Sequence, residues 1–347
     1  MKPSHIAIVG ATGMVGRMFM SILEQRDFPL SELRLLASPR SAGQKIAFRG
    51  QEKTVHVLDR NSFDGIDIAL FSAGAPVSKE FAPIATDSGA TVIDNSSAWR
   101  MHDNVPLVVP EVNPEALAPE HKLIANPNCS TIQTVMALKP LHDAAGMKRL
   151  VISTYQSVSG KGKAAVDEMV AQSKCTLDHE EITCEVFPHP IAFNMLPHID
   201  VFLDDGYTKE EHKMVDETRK IMAVPALPVS ATCVRVPVHT GHCVTLNLEF
   251  ESPFSPTEAR NSLEAFPGVV VMDDPENDLY PTPAFAAGKD DVFVGRIRQD
   301  PSVKNGLNLW VVSDNLRKGA ALNTIQIAEL LLGRTKPFSN DRPATKH

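Results

Sequence analysis

Residues 5–16 read HIAIVGATGMVG, and no other stretch restricts the possible folds as tightly. An apolar, β-rich run meets glycines at Gly10, Gly13 and Gly16. Met14, Val15, Met18, Phe19, Ile22 and Leu23 then recur at helical spacing and stop before Pro29. Glycine at these positions permits a tight turn, a close approach of backbone to a pyrophosphate, and close helix–strand packing. The positive end of the following helix receives the negative charge. Strand, turn and helix together predict a dinucleotide site on Gly10, Thr12, Gly13, Met14, Val15 and Gly16.

The rest of the first third keeps this rhythm. Strands are expected over 32–38, 53–59, 67–73 and 91–97, with a helix over 76–88, which gives a Rossmann-type, doubly wound parallel sheet. From about residue 149 the strands lengthen (149–159, 242–252, 291–300 and 306–314), with helices near 162–174, 208–222 and 256–265. That texture predicts an α+β domain with a mostly antiparallel sheet. A last amphipathic helix over 318–333 precedes a polar tail, expected to fray.

With 347 residues the chain is long enough for two domains. A net charge of −8 argues against a nucleic-acid or anionic-membrane surface, so an anionic ligand must be held by local basic residues. The N-terminus lacks the apolar stretch and cleavage site of a signal peptide, and no run approaches the ~18 apolar residues of a spanning helix. The five cysteines (129, 175, 184, 233, 243) form no C-x-x-C pair, as expected of a reduced, cytoplasmic protein. Cys233, His239, His242 and Cys243 lie close in sequence, but their spacing fits no zinc pattern and the strand alternation around them separates neighbours, so no metal is expected.

A ribose 2′-OH calls for a carboxylate at the end of the second strand, whereas a 2′-phosphate calls for arginine and hydroxyl donors. The stretch LLASPRSAGQ supplies Ser38, Arg40 and Ser41 and no nearby acid, which favours NADP. Cys129, in ANPNCSTIQT, invites the default reading of a packed core thiol. Its place at a predicted helix start offers an alternative, because first-turn N–H groups and nearby cations stabilise a thiolate and a later oxyanion. Beside a nicotinamide, such a thiol implies aldehyde chemistry through a thioester.

At this point the residues resemble a known family. GATGMVG, SPRSAGQ, DNSSAWR, NPNCST, QSVSG, FPHPIAFNMLPHID, RVPVHTGH and SDNLRKGAALN occur in the order seen in aspartate-semialdehyde dehydrogenases, from residue 5 to about 333. The resemblance implies NADP-dependent reductive dephosphorylation of β-aspartyl phosphate to aspartate semialdehyde, a step in the biosynthesis of lysine, methionine, threonine and diaminopimelate. It implies that Cys129 is the nucleophile, His242 the general acid/base and Gln156 the residue that orients the substrate. Arg235 would hold the substrate carboxylate, Arg100 and Lys220 the phosphate, Asn128 the acyl phosphate or phosphate, and Glu217 the amino group. Ser72, Ala73, Gly74, Ser159, Gly160 and Asn315 would complete the NADP site. Residues 1–128 plus 318–347 would form the cofactor domain and residues 129–317 the catalytic and dimerisation domain, the open sheet of which would pair with another subunit as a homodimer or a dimer of dimers.

Taken without the resemblance, Glu217 and Lys220 read as a solvated i, i+3 ion pair, and His242 as a hydrogen-bonded strand residue. Two rival functions remain. N-acetyl-γ-glutamyl-phosphate reductases share the architecture but carry glycine before the nucleophilic cysteine, where this chain has Asn128. A non-catalytic NADP-binding paralogue would be marked by loss of the cysteine, glutamine or histidine, and all three are present.

Overall fold

The computed structural model describes residues 3–334; the polar tail beyond Arg334 lies outside them. The first half contains β1 (Ser4–Val9), α1 (Met14–Gln25), β2 (Leu30–Ala37), β3 (Lys45–Phe48), β4 (Gln51–Val57), β5 (Ile68–Phe71), α2 (Ala75–Asp87), β6 (Thr91–Asp94) and β7 (Leu123–Ala125). These strands form one sheet in the order β3-β4-β2-β1-β5-β6-β7, parallel except for the β3–β4 hairpin. The order reverses at β1, with β2 on one side and β5 on the other, so the loops after β1 and β5 flank a switch-point crevice.

The second half contains α3 (Cys129–Ala145), β8 (Met147–Gln156), α4 (Lys163–Asp178), α5 (Lys209–Ile221), β9 (Val229–Arg235) and β10 (His242–Phe250). It continues through α6 (Pro256–Glu264), β11 (Val269–Val271), α7 (Pro283–Ala286), β12 (Val292–Asp300), β13 (Gly306–Ser313) and α8 (Leu322–Leu331). Its sheet runs β11-β12-β13-β10-β8-β9. The three inner pairings are antiparallel, whereas β11 on β12 and β9 on β8 are parallel.

Three details depart from the sequence reading. The alternation through residues 233–251 is two strands, not one: β9 stops at Arg235, and Gly241, with φ +96°, turns the chain into β10. Strands β3, β7 and β11 are not anticipated by the pattern; β7 and β11 are three residues long, too short for a period to show. The last helix does not start as an α-helix, because Arg317–Ala321 forms a π-helical turn before α8.

Two large cores follow from the two sheets. Ile132, Val135, Met136, Leu138 and Leu141 of α3 pack with Leu150, Ile152, Leu246 and Leu309 of the second sheet. Leu322, Ile325, Ile327 and Ala328 of α8 instead join Ile6, Ile8, Phe19 and Ile22 of the first, so the chain's last helix closes back on its first unit. The GATGMVG turn explains its own glycines. Gly10 has φ +89°, and a Cβ on Gly16 would lie 2.2 Å from the Gly10 carbonyl oxygen and 2.8 Å from Ala11 Cα. Gly16→Ala should therefore cost about 1–3 kcal/mol or more by overpacking, whereas Gly13→Ala, with its nearest atom at 3.3 Å, should cost less. Urea unfolding of both variants checks this, and equal midpoints would refute the close-packing argument.

Candidate active site

Both sheets aim at one cleft. It has a volume of about 740 Å³ and is lined by Val15, Ser72 and Gly74 from the first unit and by Cys129, Gln156, Gly160, Arg235 and Asn315 from the second. Strand register accounts for the second group. Gln156 ends β8 opposite Arg235 at the end of the parallel β9, and His242 starts the antiparallel β10 opposite Ser313 at the end of β13. Residues more than 150 positions apart thus reach the same sheet edge as Asn315.

Cys129 is the first residue of α3, and Asn128 caps that helix. The Asn128 side-chain oxygen accepts the N–H of Ser130 at 2.9 Å and of Thr131 at 3.3 Å. Its side-chain amide donates to Glu210 at 2.8 Å, and its backbone N–H donates to Glu217 at 2.7 Å. Asn128 is consumed in holding the thiol's helix and two carboxylates, although it also lines the cleft. A Cβ on Gly319 would stand 3.0 Å from Cys129 Cβ, so the π-helical turn backs the thiol with its one residue that has no side chain.

At the thiol, burial outweighs the helix start and the cations. Burial, and after it the Glu210 carboxylate, push Cys129 up to about 11 against the pull of Arg100 and Arg235. The resting side chain is a thiol. His242 is wholly buried, and burial together with the Arg235 guanidinium holds its imidazole well below the ordinary histidine range, so the ring is neutral. His242 does not itself line the cleft. It stands behind Gly160, where a Cβ would lie 3.1 Å from Nε2 and 3.1 Å from Nη1 of Arg235.

The structure separates the expected ligand residues. Arg235, buried, donates from Nη1 to the Ser157 carbonyl at 2.7 Å and lines the cleft. Arg100 lines it too, braced by the carbonyls of Asn126 and Asn95 and by Glu217 at 3.0 Å. Glu217 and Lys220 do not reach the cleft. Glu217 is buried behind Arg100 and Asn128, and Lys220 donates to the carbonyls of Arg100, His102 and Val105 at 2.8, 2.8 and 3.0 Å.

A second Glu–Lys pair stands two turns earlier on α5. Glu210 and Lys213 both line the cleft, and Glu210 accepts from Asn128, from Gln156 at 3.1 Å and from Lys213 at 3.0 Å. Burial opposes the charge on Glu210, but Lys213, Asn128 and Gln156 outweigh it and hold the carboxyl below its usual range. The sequence itself offers both pairs. Glu-x-x-Lys occurs at 210–213 and again at 217–220, seven residues or about 10 Å along the same helix face, and spacing alone cannot choose between them. Asn95, from DNSSAWR, also lines the cleft and was not expected.

The cofactor residues fit a dinucleotide. Gly10 packs so closely on the β5 loop that a Cβ would lie 3.0 Å from the Ser72 backbone, and Gly13 leads into α1 without a side chain in the way. Thr12 bonds Ser41 at 3.4 Å, which sets the glycine turn beside the Ser38–Arg40–Ser41 loop, where Arg40 is exposed. Ser38, Arg40, Ser41, Thr12, Met14 and Ala73 lie outside the cleft lining, whereas Val15, Ser72, Gly74, Ser159, Gly160 and Asn315 are part of it. Among the described residues no three His, Cys, Asp or Glu side chains gather as a metal site would require.

Comparison with known proteins agrees with this geometry. Residues 5–119 match the family model for the semialdehyde dehydrogenase NAD binding domain, and residues 138–318 that for the semialdehyde dehydrogenase dimerisation domain. The aspartate-semialdehyde dehydrogenase of Aquifex aeolicus is 58% identical over 94% of this chain and 98% of that protein. A crystal structure of aspartate semialdehyde dehydrogenase II from Vibrio cholerae complexed with ASA is 48% identical with a TM-score of 0.92, covering 96% of this chain and all of that one. A Candida albicans aspartate semialdehyde dehydrogenase with NADP superimposes with a TM-score of 0.76 at 26% identity, over 95% of this chain and 99% of that one. This chain belongs to the aspartate-semialdehyde dehydrogenase family.

Proposed function

We propose that the chain catalyses the reversible, NADP-dependent reductive dephosphorylation of β-aspartyl phosphate to aspartate β-semialdehyde through an acyl-thioester on Cys129. The observation that carries this reading is the convergence of Cys129, Gln156, Glu210 and Arg235 on a cleft continuous with the GATGMVG crevice. When bound, NADPH supplies the hydride that reduces the thioester. The glycine turn, Ser72 and Gly74 would hold its pyrophosphate, Ser38, Arg40 and Ser41 its 2′-phosphate, and Ser159, Gly160 and Asn315 its nicotinamide end.

The chain's own groups then divide the work. Cys129 attacks the acyl carbon, and Gln156, tied to Glu210, fixes the carbonyl beside it. Arg235 takes the α-carboxylate with its planar fork and Glu210 the ammonium group, so the amino acid is read by one charge of each sign. Arg100 and Lys213 are the cations for phosphate, while Glu217 and Lys220 brace Arg100 from behind. An N-acetylated substrate would present no ammonium to Glu210, which disfavours the acetylglutamyl reading.

We divide the chain at 1–128 plus 318–347 for the cofactor and 129–317 for catalysis and dimerisation; the packing of α8 with β1 and α1 supports this. Phe193, Met195, Val201 and Phe202 are each more than half exposed on the segment between α4 and α5, which supports a homodimer, alone or paired as a dimer of dimers. No described helix is long and apolar enough to cross a membrane, and all five cysteines are free, which supports a cytoplasmic, reducing setting.

Aspartate semialdehyde, NADP⁺ and phosphate should give NADPH, and the acetylglutamyl analogue should not; the reverse outcome overturns the reading. Cys129→Ala should abolish turnover while NADPH still binds by fluorescence titration. Arg235→Lys should lower kcat/KM by about 10–100-fold through loss of a charged bidentate contact worth about 1.5–3 kcal/mol. Lys220→Met should lower unfolding stability by about 1–3 kcal/mol by stripping three carbonyls of their donor, with the KM for phosphate changed less than about threefold. A phosphate KM raised tenfold or more at unchanged stability would return Lys220 to the site.

A further inference from the structure

We infer that Asp200 is a positioning residue for phosphate: its carboxylate holds the Lys213 ammonium on the cleft wall and offsets part of its charge, so that phosphate is bound loosely enough to exchange. The inference rests on the proposed role of Lys213 as a phosphate cation and adds the group that sets the strength of that cation. Asp200 and Lys213 both line the cleft. Lys213 donates to Asp200 at 2.7 Å and to Glu210 at 3.0 Å. One ammonium therefore faces two carboxylates before any ligand arrives.

The segment that carries Asp200 is anchored at both ends to groups of the site. Leu196 exchanges two backbone hydrogen bonds with Arg235, at 2.9 and 2.8 Å, and the Val201 carbonyl accepts the N–H of Lys209, the first residue of α5, at 2.9 Å. Between these anchors Asp200 takes φ +67°, a left-handed backbone that aspartate adopts more readily than most residues. Its Oδ1 accepts the Val201 N–H at 2.9 Å, which fixes the side chain and leaves Oδ2 for Lys213. The two side chains are only 31% and 17% exposed, so their charges are coupled more strongly than those of a free surface pair.

The two carboxylates on Lys213 differ in what else they hold. Glu210 also accepts from Asn128 and Gln156 through Oε1, and on the proposed function it is the partner of the substrate ammonium. Asp200 spends its other oxygen on its own backbone. When an ammonium group draws on Glu210, Asp200 is the anion that keeps Lys213 in place. Burial opposes the charge on Lys213, but Glu210 and Asp200 outweigh it and hold the ammonium above its ordinary pKa, so the cation is present for phosphate.

An ammonium carries three protons, so with two committed Lys213 has one to offer a phosphate oxygen. Asp200 acts on the same charge, and phosphate binds Lys213 against that pull. Phosphate is a co-substrate in one direction of the proposed reaction and a product in the other. A cation that is already partly neutralised suits a site that has to take phosphate up and let it go.

Steady-state kinetics with phosphate varied test this, on variants shown to be folded by circular dichroism. Asp200→Asn keeps the shape of the side chain and removes its charge, so the KM for phosphate should fall by about 2–10-fold while the KM for aspartate semialdehyde stays within about twofold. A phosphate KM that is unchanged or raised overturns the inference, and a raised semialdehyde KM at constant phosphate KM would assign Asp200 to the substrate ammonium instead. The effect has to pass through the ammonium: in a Lys213→Met background Asp200→Asn should move the phosphate KM by less than about twofold, and a shift of full size there also overturns the inference. Lys213→Met alone should raise the phosphate KM by about tenfold or more, and no change would remove the phosphate role of Lys213 and this inference with it. Failure of the proposed function itself would show differently, as no phosphate-dependent turnover in wild type.

Discussion

The site depends on how one asparagine ends a loop. Asn128 caps α3 with its side-chain oxygen and spends its side-chain amide on Glu210 and its backbone N–H on Glu217. The cap sets where the helix begins, and Cys129 is the first residue after it. The two carboxylates lie two turns apart on α5, so one residue fixes the thiol's helix against the helix that lines the cleft with Glu210 and Lys213. Glu217 then holds Arg100, and Glu210 holds Gln156 and Lys213. Replacing Asn128 by glycine would keep the backbone N–H to Glu217 but remove the cap of α3 and leave the buried Glu210 short of a donor, a change felt at Gln156 as well as at the thiol.

A second chain of buried polar groups reaches the same place from behind. The Lys318 ammonium meets three acceptors, Glu111 at 2.6 Å, Asn323 at 3.0 Å and Gln326 at 2.7 Å, which satisfies all three of its protons. Asn323 bonds Asn126, Asn126 bonds Asn95, and the carbonyls of Asn95 and Asn126 brace Arg100. The next residue after Lys318 is Gly319, which lies against Cys129. A buried ion pair of this kind gives little net stability once desolvation is counted, and burial draws Lys318 below its usual pKa. Its consequence here is geometric, since it pins the π-helical turn that backs the thiol.

The parts of this architecture that were legible in the sequence are those with a local cause. The glycine turn announced itself because each glycine answers a backbone contact or a positive φ. Cys129 stood out at its helix start, whereas Gln156, Arg235 and His242 were named through the resemblance; the meeting of these three is a matter of strand register across the second sheet, which no local pattern encodes. The choice between Glu210–Lys213 and Glu217–Lys220 was out of reach for a simpler reason. Both pairs share a motif and a helix face, and only the tertiary position of α5 decides which pair meets the cleft and which meets Asn128 and the Arg100 loop. Helix position and cations are visible in a sequence, whereas the burial and the Glu210 charge that push the thiol up are not.

That last discrepancy bears on how the site works. A cysteine beside two arginines at a helix start would ordinarily be a standing thiolate, open to oxidation in the absence of substrate. Here desolvation and Glu210 keep the sulfur protonated, while desolvation and Arg235 keep the imidazole neutral, so the resting site holds no thiolate–imidazolium pair. On the proposed function, an ammonium group paired with Glu210 would offset the carboxylate that adds to burial in raising the thiol pKa, which ties activation of Cys129 to a ligand carrying an amino group.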